Sequence, residues 1–302
     1  MRVLRTPDHC FASLPDWPYR PRYLDVPPLD GSSGRLRVHY VDEGPPRAAP
    51  VLLLHGEPTW SYLYRHIIAG LVDRGHRVLA PDLVGFGRSD KPASQSDHTF
   101  ERHVAWMSHA LFKGLNLSDV TLFGQDWGGM IGLRLVAESP ERFARLVLAN
   151  TGLPTGDTKP PDPFLAWQEF AKSVPVFDAG AVVGFGTLNP VDPAVRAAYN
   201  APFPEEGYQA GARALPSLVP TDPDDPAAAD QRRAWRSFAD FRRPVLTAFS
   251  DGDPITRGGE ERFLAVFPLA RRTTVSNAGH FLQEDAADRV VDVIASFIEE
   301  VP

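Results

Sequence analysis

One short stretch near the middle of the chain limits the folds that this sequence can adopt. Residues 120–123 form an apolar run with the composition of a buried strand. Residues 124–129 read Gly-Gln-Asp-Trp-Gly-Gly, and residues 130–137 continue in a helical pattern. Small residues on both sides of Asp126 are what a sharp strand-to-helix turn requires, because a neighbouring Cβ would clash there. The stretch therefore predicts a turn that presents one reactive side chain, with aspartate where serine is more usual.

Strand and helix patterns alternate along most of the chain. Short continuous apolar runs at residues 51–54, 77–81 and 146–150 are typical of buried strands in a parallel sheet. Helical patterns separate these runs, which predicts an α/β protein with a doubly wound, mostly parallel sheet. Residues 1–34 are rich in proline and aromatic side chains, and we expect them to lie across the surface of the main domain.

The composition changes at residues 154–163, which contain four prolines. From there to about residue 226 the chain has short helical segments broken by proline and glycine, without a strong strand. The α/β pattern returns from Asp230. We therefore expect a main domain built from residues 1–154 and 230–302, with residues 155–229 inserted as a helical cap.

Composition and charge argue against several classes of partner. The formal net charge is -7 and no basic run is present, which argues against nucleic-acid binding. No apolar run approaches the ~20 residues that a membrane helix requires, and the N-terminus lacks the apolar segment of a secretory signal. Cys10 is the only cysteine, which rules out an internal disulfide and a cysteine-based metal site. We expect a cytoplasmic protein that binds no metal or cofactor.

Three motifs together resemble those of the α/β hydrolases and, more narrowly, the haloalkane dehalogenases. They are the turn at residues 124–129, His55-Gly-Glu-Pro-Thr-Trp60, and Asn277-Ala-Gly-His-Phe281. The resemblance extends from about Leu36 to the C-terminus and is closest to the branch whose second halide-binding tryptophan lies in the cap. Because epoxide hydrolases share the turn motif, that motif alone indicates the type of nucleophile rather than the substrate.

A carboxylate nucleophile suits displacement at a saturated carbon, because it forms an alkyl ester that water can later cleave. Asp126 needs no base before it attacks, so a base is required only when water cleaves the ester. His280 fits that role, since it follows a predicted strand and completes the chain order of nucleophile, acid and histidine. We therefore predict Asp126 as the nucleophile and His280 as the base.

A carboxylate is also needed to orient the histidine and to stabilise its protonated form. Two candidates, Asp251 and Asp253, follow the strand that is predicted to end at Phe249. The spacing of the family's motif favours Asp253. Asp251 stays open as the alternative, although an aspartate at that place is also typical of a turn.

The resemblance further implies which groups hold negative charge during the reaction. The backbone amides of Glu57 and Trp127 would form the oxyanion hole. The indole N–H groups of Trp127 and Trp167 would hold the leaving halide, since indole donates a hydrogen bond and accepts none. In the other main branch an asparagine occupies the position of Glu57, so the glutamate favours the branch with the cap tryptophan. The Glu57 side chain is also a candidate for holding the hydrolytic water.

The activity implied by the resemblance is conversion of a small haloalkane and water to an alcohol, a halide ion and a proton, without a cofactor. An epoxide hydrolase with the same three catalytic residues stays open, with Tyr199 and Tyr208 as the acids that would protonate the epoxide oxygen. A binding protein that kept this fold is a further alternative, against which the intact catalytic residues argue. We expect a monomer or a weak homodimer. The expected apolar pocket walls in the cap are Phe164, Phe170, Val174 and Phe177.

Overall fold

The computed structural model describes residues 1–301, and ten strands are present in that part of the chain. The strands are β1 (Val3–Leu4), β2 (Arg22–Val26), β3 (Leu36–Glu43), β4 (Pro50–Leu54), β5 (Arg77–Pro81), β6 (Lys91–Pro92), β7 (Val120–Gln125), β8 (Phe143–Ala149), β9 (Val245–Ser250) and β10 (Ala270–Val275). Eight of them form one sheet in the order β10-β9-β8-β7-β4-β5-β3-β2, while β1 and β6 pair separately. Within the large sheet, β3 runs in the direction opposite to the other seven strands. The predicted α/β fold with a mostly parallel sheet is confirmed.

The α-helices cover both faces of this sheet. They are α1 (Arg65–Asp73), α2 (Phe100–Ser108), α3 (Asp126–Glu138), α4 (Asp162–Ser173), α5 (Ala179–Gly186), α6 (Pro193–Asn200), α7 (Ala210–Leu218), α8 (Ala228–Phe238), α9 (Glu260–Val266), α10 (Leu282–Asp285) and α11 (Ala287–Glu300). Helix α2 continues as a π-helical turn, His109–Gly114. Helices α1 and α11 pack on one face, and α2, α3 and α8 pack on the other.

The apolar runs of the central strands are continuous because each strand contributes to two cores. Along β4, Val51 and Leu53 belong to the core beneath α1 and α11, whereas Leu52 and Leu54 belong to the core beneath α3. Alternate side chains of a strand point to opposite faces, so a strand covered by helices on both sides is built mainly from apolar residues. Every residue of β4 and β7 is buried.

The first 34 residues differ from the prediction. Arg22–Val26 is not a surface segment but the edge strand β2, paired antiparallel with β3. Its sequence, Arg-Tyr-Leu-Asp-Val, carries two charged residues because an edge strand is partly solvated. The preceding aromatic residues do lie against the sheet domain, where the Trp17 ring packs 5.2 Å from that of Trp60.

The segment between β8 and β9 contains α4 to α8 and no strand, and the structure describes all of it. Among residues 1–301, every helix is too short or too polar to cross a membrane. The carboxyl ends of β4, β7, β8, β9 and β10 meet at one edge of the sheet, beneath these helices. In open α/β sheets this edge is where ligands bind.

Candidate active site

The turn after β7 holds Asp126 in a backbone conformation that only a tightly packed site maintains. Its φ angle is +52°, in the left-handed region that non-glycine residues rarely occupy. The glycines around it allow two segments to approach closely. A Cβ on Gly128 would lie 1.9 Å from the carbonyl oxygen of Leu54, and one on Gly124 would lie 2.7 Å from the Cα of Gly129. The turn thus raises the carboxylate above the sheet edge.

His280 lies between the two carboxylates that the sequence analysis favoured. Its Nδ1 is 3.0 Å from Oδ2 of Asp253, and its Nε2 is 3.6 Å from Oδ2 of Asp126. Asp253 is buried, and its Oδ1 accepts a hydrogen bond from the backbone N–H of Ile255 at 2.8 Å. Asp251 is exposed, and the backbone N–H of Ala278 approaches its side chain at 3.4 Å. The fold therefore brings Asp253, and not Asp251, to the histidine.

The charges of these groups are coupled. Burial by itself lowers the pKa of His280, but the carboxylates of Asp253 and Asp126 outweigh this effect and raise the pKa to about 10. Burial raises the pKa of Asp253, whereas the charge and hydrogen bond of His280 outweigh burial and lower the pKa to about 2. With Asp126 ionised, the histidine is therefore an imidazolium held between two carboxylates.

The loop after β4 places a backbone donor on the Asp126 carboxylate. The N–H of Glu57 donates to Oδ1 of Asp126 at 2.8 Å. Gly56 leaves room for this contact, since a Cβ there would lie 2.1 Å from the same oxygen. The loop is fixed from below by Asp82, whose Oδ1 accepts from the N–H of Ser61 at 2.8 Å. Trp127, the second predicted oxyanion donor, lies in the first turn of α3, where backbone N–H groups have no partner within the helix.

The side chain of Glu57 is buried at the inner end of the cavity. It is 4% exposed, and its Oε1 has no hydrogen-bond partner among the described residues. Burial, reinforced by the nearby charge of Asp126, raises the pKa of Glu57 well above its ordinary value. The raised pKa favours the neutral carboxylic acid, whose O–H group is a donor facing the cavity.

The two predicted halide-binding tryptophans both line the cavity beside Asp126. Among the described residues, neither the Trp127 nor the Trp167 indole N–H donates to a protein group, whereas Trp60 and Trp235 donate to backbone carbonyl oxygens at 3.1 and 2.7 Å. Trp127 is 2% exposed and packs against Phe100. Trp167, on α4, is partly exposed. Two unpaired donors on apolar rings are thus available to a ligand.

The cavity has a volume of about 790 Å³ and a mainly apolar lining. Of the expected wall residues, Phe164 and Phe170 line it, whereas Val174 and Phe177 do not. Phe177 is instead buried in the core, with its ring 6.2 Å from that of Trp167. An apolar helix residue can face the cavity or the core, and the sequence pattern alone does not distinguish the two.

The two cap tyrosines do not reach this cavity. Tyr199 is fully buried, and its hydroxyl is hydrogen-bonded to Glu284. Glu284 also receives both terminal nitrogens of Arg65, so the tyrosine belongs to a buried polar cluster that joins α6 to α10. Tyr208 is likewise absent from the described lining. The acids that epoxide opening would need are therefore not in place.

Two residues that hold the histidine loop were missed by sequence reasoning. The side-chain amide of Asn150 donates to the carbonyl oxygens of Gly279 and His280 at 3.0 Å, and its Oδ1 accepts from the N–H of Ser250. Gln125 donates to the carbonyl oxygen of His280 at 3.2 Å. Their positions in the sequence could have identified them, since each is a polar residue at the carboxyl end of a buried strand.

Within residues 1–301 no group of three or more histidine, cysteine, aspartate or glutamate side chains could hold a metal ion.

The family model described as the alpha/beta hydrolase fold matches residues 49–287. The chain therefore belongs to the α/β hydrolases, the class that its sheet and its nucleophile turn define.

More similar relatives narrow this class. A haloalkane dehalogenase from Psychrobacter cryohalolentis is 52% identical over the full length of both chains. Another from Mycolicibacterium paratuberculosis is 50% identical over 98% of each chain. The tetrameric structure of a haloalkane dehalogenase from Paraglaciecola agarilytica superposes with a TM-score of 0.88, at 34% identity over 98% of this chain and 97% of that one. Within the α/β hydrolases, this chain belongs to the haloalkane dehalogenase family, which confirms the family predicted from the motifs.

Proposed function

We propose that this protein hydrolyses the carbon–halogen bond of haloalkanes to an alcohol, a halide ion and a proton. The proposal rests on one observation: a nucleophile and two free hydrogen-bond donors line the same apolar cavity. The nucleophile is the carboxylate of Asp126, and the donors are the unpaired indole N–H groups of Trp127 and Trp167. Family membership supports the same conclusion.

In the first step, a carboxylate oxygen of Asp126 attacks the carbon that carries the halogen. The new C–O bond forms as the carbon–halogen bond breaks, and the halide leaves with the bonding electron pair. The indole N–H groups of Trp127 and Trp167 would receive that negative charge in an apolar setting, where a hydrogen bond to an ion is strongest. The product of this step is an alkyl ester of Asp126.

In the second step, His280 takes a proton from water, and the water oxygen attacks the ester carbonyl of Asp126. The negative charge that develops on the carbonyl oxygen is stabilised by the N–H of Glu57, which is 2.8 Å from Oδ1 in the free enzyme. The alcohol departs with the proton that His280 took from water, and the proton left on the Asp126 carboxyl group passes to His280 as the carboxylate reforms. The net proton of the reaction is the one that the imidazolium releases once Asp126 has been alkylated. One oxygen of the regenerated carboxylate therefore comes from water.

Ester formation also prepares the base. The pKa of His280 is raised in part by the charge of Asp126, and alkylation removes that charge. The imidazolium then loses its proton more readily, and the neutral ring can accept one from water. Asp253 stays ionised beside Nδ1 and holds the ring in place.

Burial favours the protonated form of Glu57, which avoids a second negative charge beside the departing halide. Its O–H group is free to donate to the hydrolytic water, and its Oε1 is free to accept a hydrogen bond. This arrangement supports the assignment of Glu57 as a residue that helps to hold the water.

We also keep the division of the chain as a proposal: residues 155–229 would form the cap, and the remainder the main domain. The position of Trp167 on α4 supports this division, because α4 covers the sheet edge that carries Asp126.

Three further properties stay predictions: a monomer or weak homodimer, a cytoplasmic location and independence of cofactors. The tetramer of the Paraglaciecola agarilytica enzyme is a property of that protein.

The proposal is tested by halide release from 1-bromobutane and 1,2-dibromoethane, measured beside hydrolysis of styrene oxide. We expect bromide from the wild type and none from Asp126→Ala. Equal turnover by the two proteins would overturn the enzymatic assignment. Formation of diol from the epoxide without bromide release would indicate an epoxide hydrolase instead, despite the positions of Tyr199 and Tyr208.

A further inference from the structure

The two ends of the cavity differ in charge. The inner end holds Asp126 and Glu57, and these are the only carboxyl groups in the lining formed by the described residues. The outer end carries three cationic side chains, those of Lys159, Arg257 and Arg262, all of them exposed. A substrate lying along the cavity would therefore meet a nucleophile at one end and positive charge at the other.

This concentration of positive charge is not a consequence of composition, since the chain carries a net charge of -7. Within residues 1–301, neither Arg257 nor Arg262 forms an ion pair with a carboxylate. The nearby acids have other partners or do not line the cavity. Asp157 pairs with Arg232 of α8 at 2.7 Å, and Asp162 pairs with Lys159 at 2.8 Å. Glu260 lies outside the lining. The guanidinium of Arg257 donates one hydrogen bond, to the backbone carbonyl oxygen of Asp251 at 3.3 Å, and the other N–H groups of the two guanidinium groups have no hydrogen-bond partner among the described residues.

Arg262 is held in place by an aromatic ring. Its guanidinium carbon lies 4.1 Å from the centroid of the Trp235 ring, and the indole N–H of Trp235 donates to the carbonyl oxygen of Leu153 at 2.7 Å. Partial burial lowers the pKa of Arg262 although the charge of nearby Asp157 acts in the opposite direction, which means that the cation has lost some of its hydration. A partly dehydrated, stacked guanidinium is a favourable binding group for a planar anion such as a carboxylate.

The cationic end is structurally close to the catalytic end. Arg257 directly follows Thr256, whose hydroxyl donates to Oδ2 of Asp253. Thr151, next to the turn that carries the arginines, donates through its hydroxyl to the backbone carbonyl of Asp126 at 2.7 Å. The space between the two ends is lined by apolar side chains, including Leu153, Phe164 and Phe263. An apolar chain with its halogen at the nucleophile would extend toward the guanidinium groups.

We propose that the outer end of this cavity binds an anionic group, and that the preferred substrates are haloalkyl chains with a carboxylate at the end remote from the halogen. This inference rests on the proposed dehalogenation and specifies its substrate class. The volume supports it, because about 790 Å³ is typical of cavities that hold a drug-sized ligand rather than a two-carbon haloalkane. The apolar lining would hold the methylene chain, and Arg257 and Arg262 would bind the carboxylate.

The test compares three six-carbon substrates: 6-bromohexanoate, its neutral isostere 6-bromohexanamide, and 1-bromohexane. Bromide release is measured for the wild type, for Arg257→Gln combined with Arg262→Gln, and for Arg289→Gln. Arg289 is an exposed arginine on α11 outside the cavity, so its substitution controls for the loss of one positive charge away from the cavity.

We expect the wild type to have a higher kcat/KM for the carboxylate than for the amide. The double variant should lose ~10-fold or more of kcat/KM for the carboxylate, the size expected for a hydrogen bond to a charged group. Its kcat/KM for 1-bromohexane should not change, which also shows that the variant is folded. Arg289→Gln should behave as the wild type, and added salt should reduce turnover of the carboxylate only.

Two results would overturn the inference while leaving the dehalogenase assignment intact. One is a wild type that releases bromide from 1-bromohexane but prefers the amide to the carboxylate. The other is a double variant with an unchanged ratio of carboxylate to amide turnover. Absence of bromide from all three substrates would instead overturn the proposed function, and this inference with it.

Discussion

The two walls of the cavity are built in different ways. On the sheet side, the groups proposed to make and break bonds follow the ends of buried strands and are held by hydrogen bonds: Asp126 by the Glu57 amide, and His280 by Asp253 and Asn150. On the helical side, the Trp167 side chain has no hydrogen-bond partner among the described residues and packs against Phe170 and Phe177. Groups that make and break bonds need fixed geometry, whereas groups that surround the substrate need only the right shape and polarity. The difference predicts that changes in the sheet wall damage the chemical steps most.

The largest effect should follow from removal of the base. In His280→Phe, Asp126 can still displace the halide, but no group activates the water that cleaves the ester. We expect release of about one halide per active site, followed by arrest with the alkyl group attached to Asp126. Rapid-quench halide measurement and intact-protein mass spectrometry test this. Recovery of unmodified protein after incubation with a good substrate would contradict the division of roles.

The acid that supports the base offers a matched pair of substitutions. Asp253→Asn should slow ester hydrolysis by up to ~10⁴, as loss of the carboxylate does in other catalytic triads. Asp251→Asn, which changes an exposed neighbour, should leave turnover within a few-fold of the wild type. Single-turnover rates for the two steps separate hydrolysis from halide release. A greater loss in the Asp251 variant would reverse the assignment.

Trp127 belongs to the sheet wall and Trp167 to the helical wall, so substitutions of the two indoles compare the walls directly. Removal of one preorganised donor typically costs ~10²–10³ in kcat, and we expect Trp127→Phe and Trp167→Phe to fall in this range. Trp167→Phe should lie at the lower end, because a less tightly fixed donor contributes less to the transition state. Burst kinetics of halide release and halide affinity from tryptophan fluorescence provide the readouts. Unchanged halide affinity in both variants would remove these residues from the halide site.

The smallest effect concerns the proton on Glu57. Its pKa is raised by burial, so the folded protein keeps a proton that the unfolded chain loses above pH 4.5. Stability of the wild type should therefore fall as the pH rises above that value. Glu57→Gln keeps an uncharged side chain of similar shape and should decline less steeply, since the raised pKa of His280 still contributes in both proteins. Thermal unfolding of both proteins between pH 4.5 and 9 would show whether their unfolding temperatures change differently with pH. Unfolding temperatures that change in parallel would show that Glu57 is not protonated.

Much of the site could be predicted from sequence because its parts are local. A strand, a turn of small residues and a helix lie within residues 120–138, so the pattern around Asp126 predicts both the backbone and the reactive group. The motifs of Glu57 and His280 are equally short. Strand β2 was missed for the opposite reason, because its structure depends on backbone pairing with β3, and its own sequence resembles that of a solvated segment.

The sequence by itself determined the fold class and the family and predicted the type of nucleophile, since these depend on residues near one another in the chain. Only the tertiary structure brought Asp253 rather than Asp251 to His280, placed Tyr199 against Glu284 and away from the cavity, and revealed Asn150 behind the histidine loop. It also gathered Lys159, Arg257 and Arg262 at one cavity mouth. Each of these outcomes depends on which distant segments meet, and that is set by packing and by the satisfaction of buried polar groups across the whole chain.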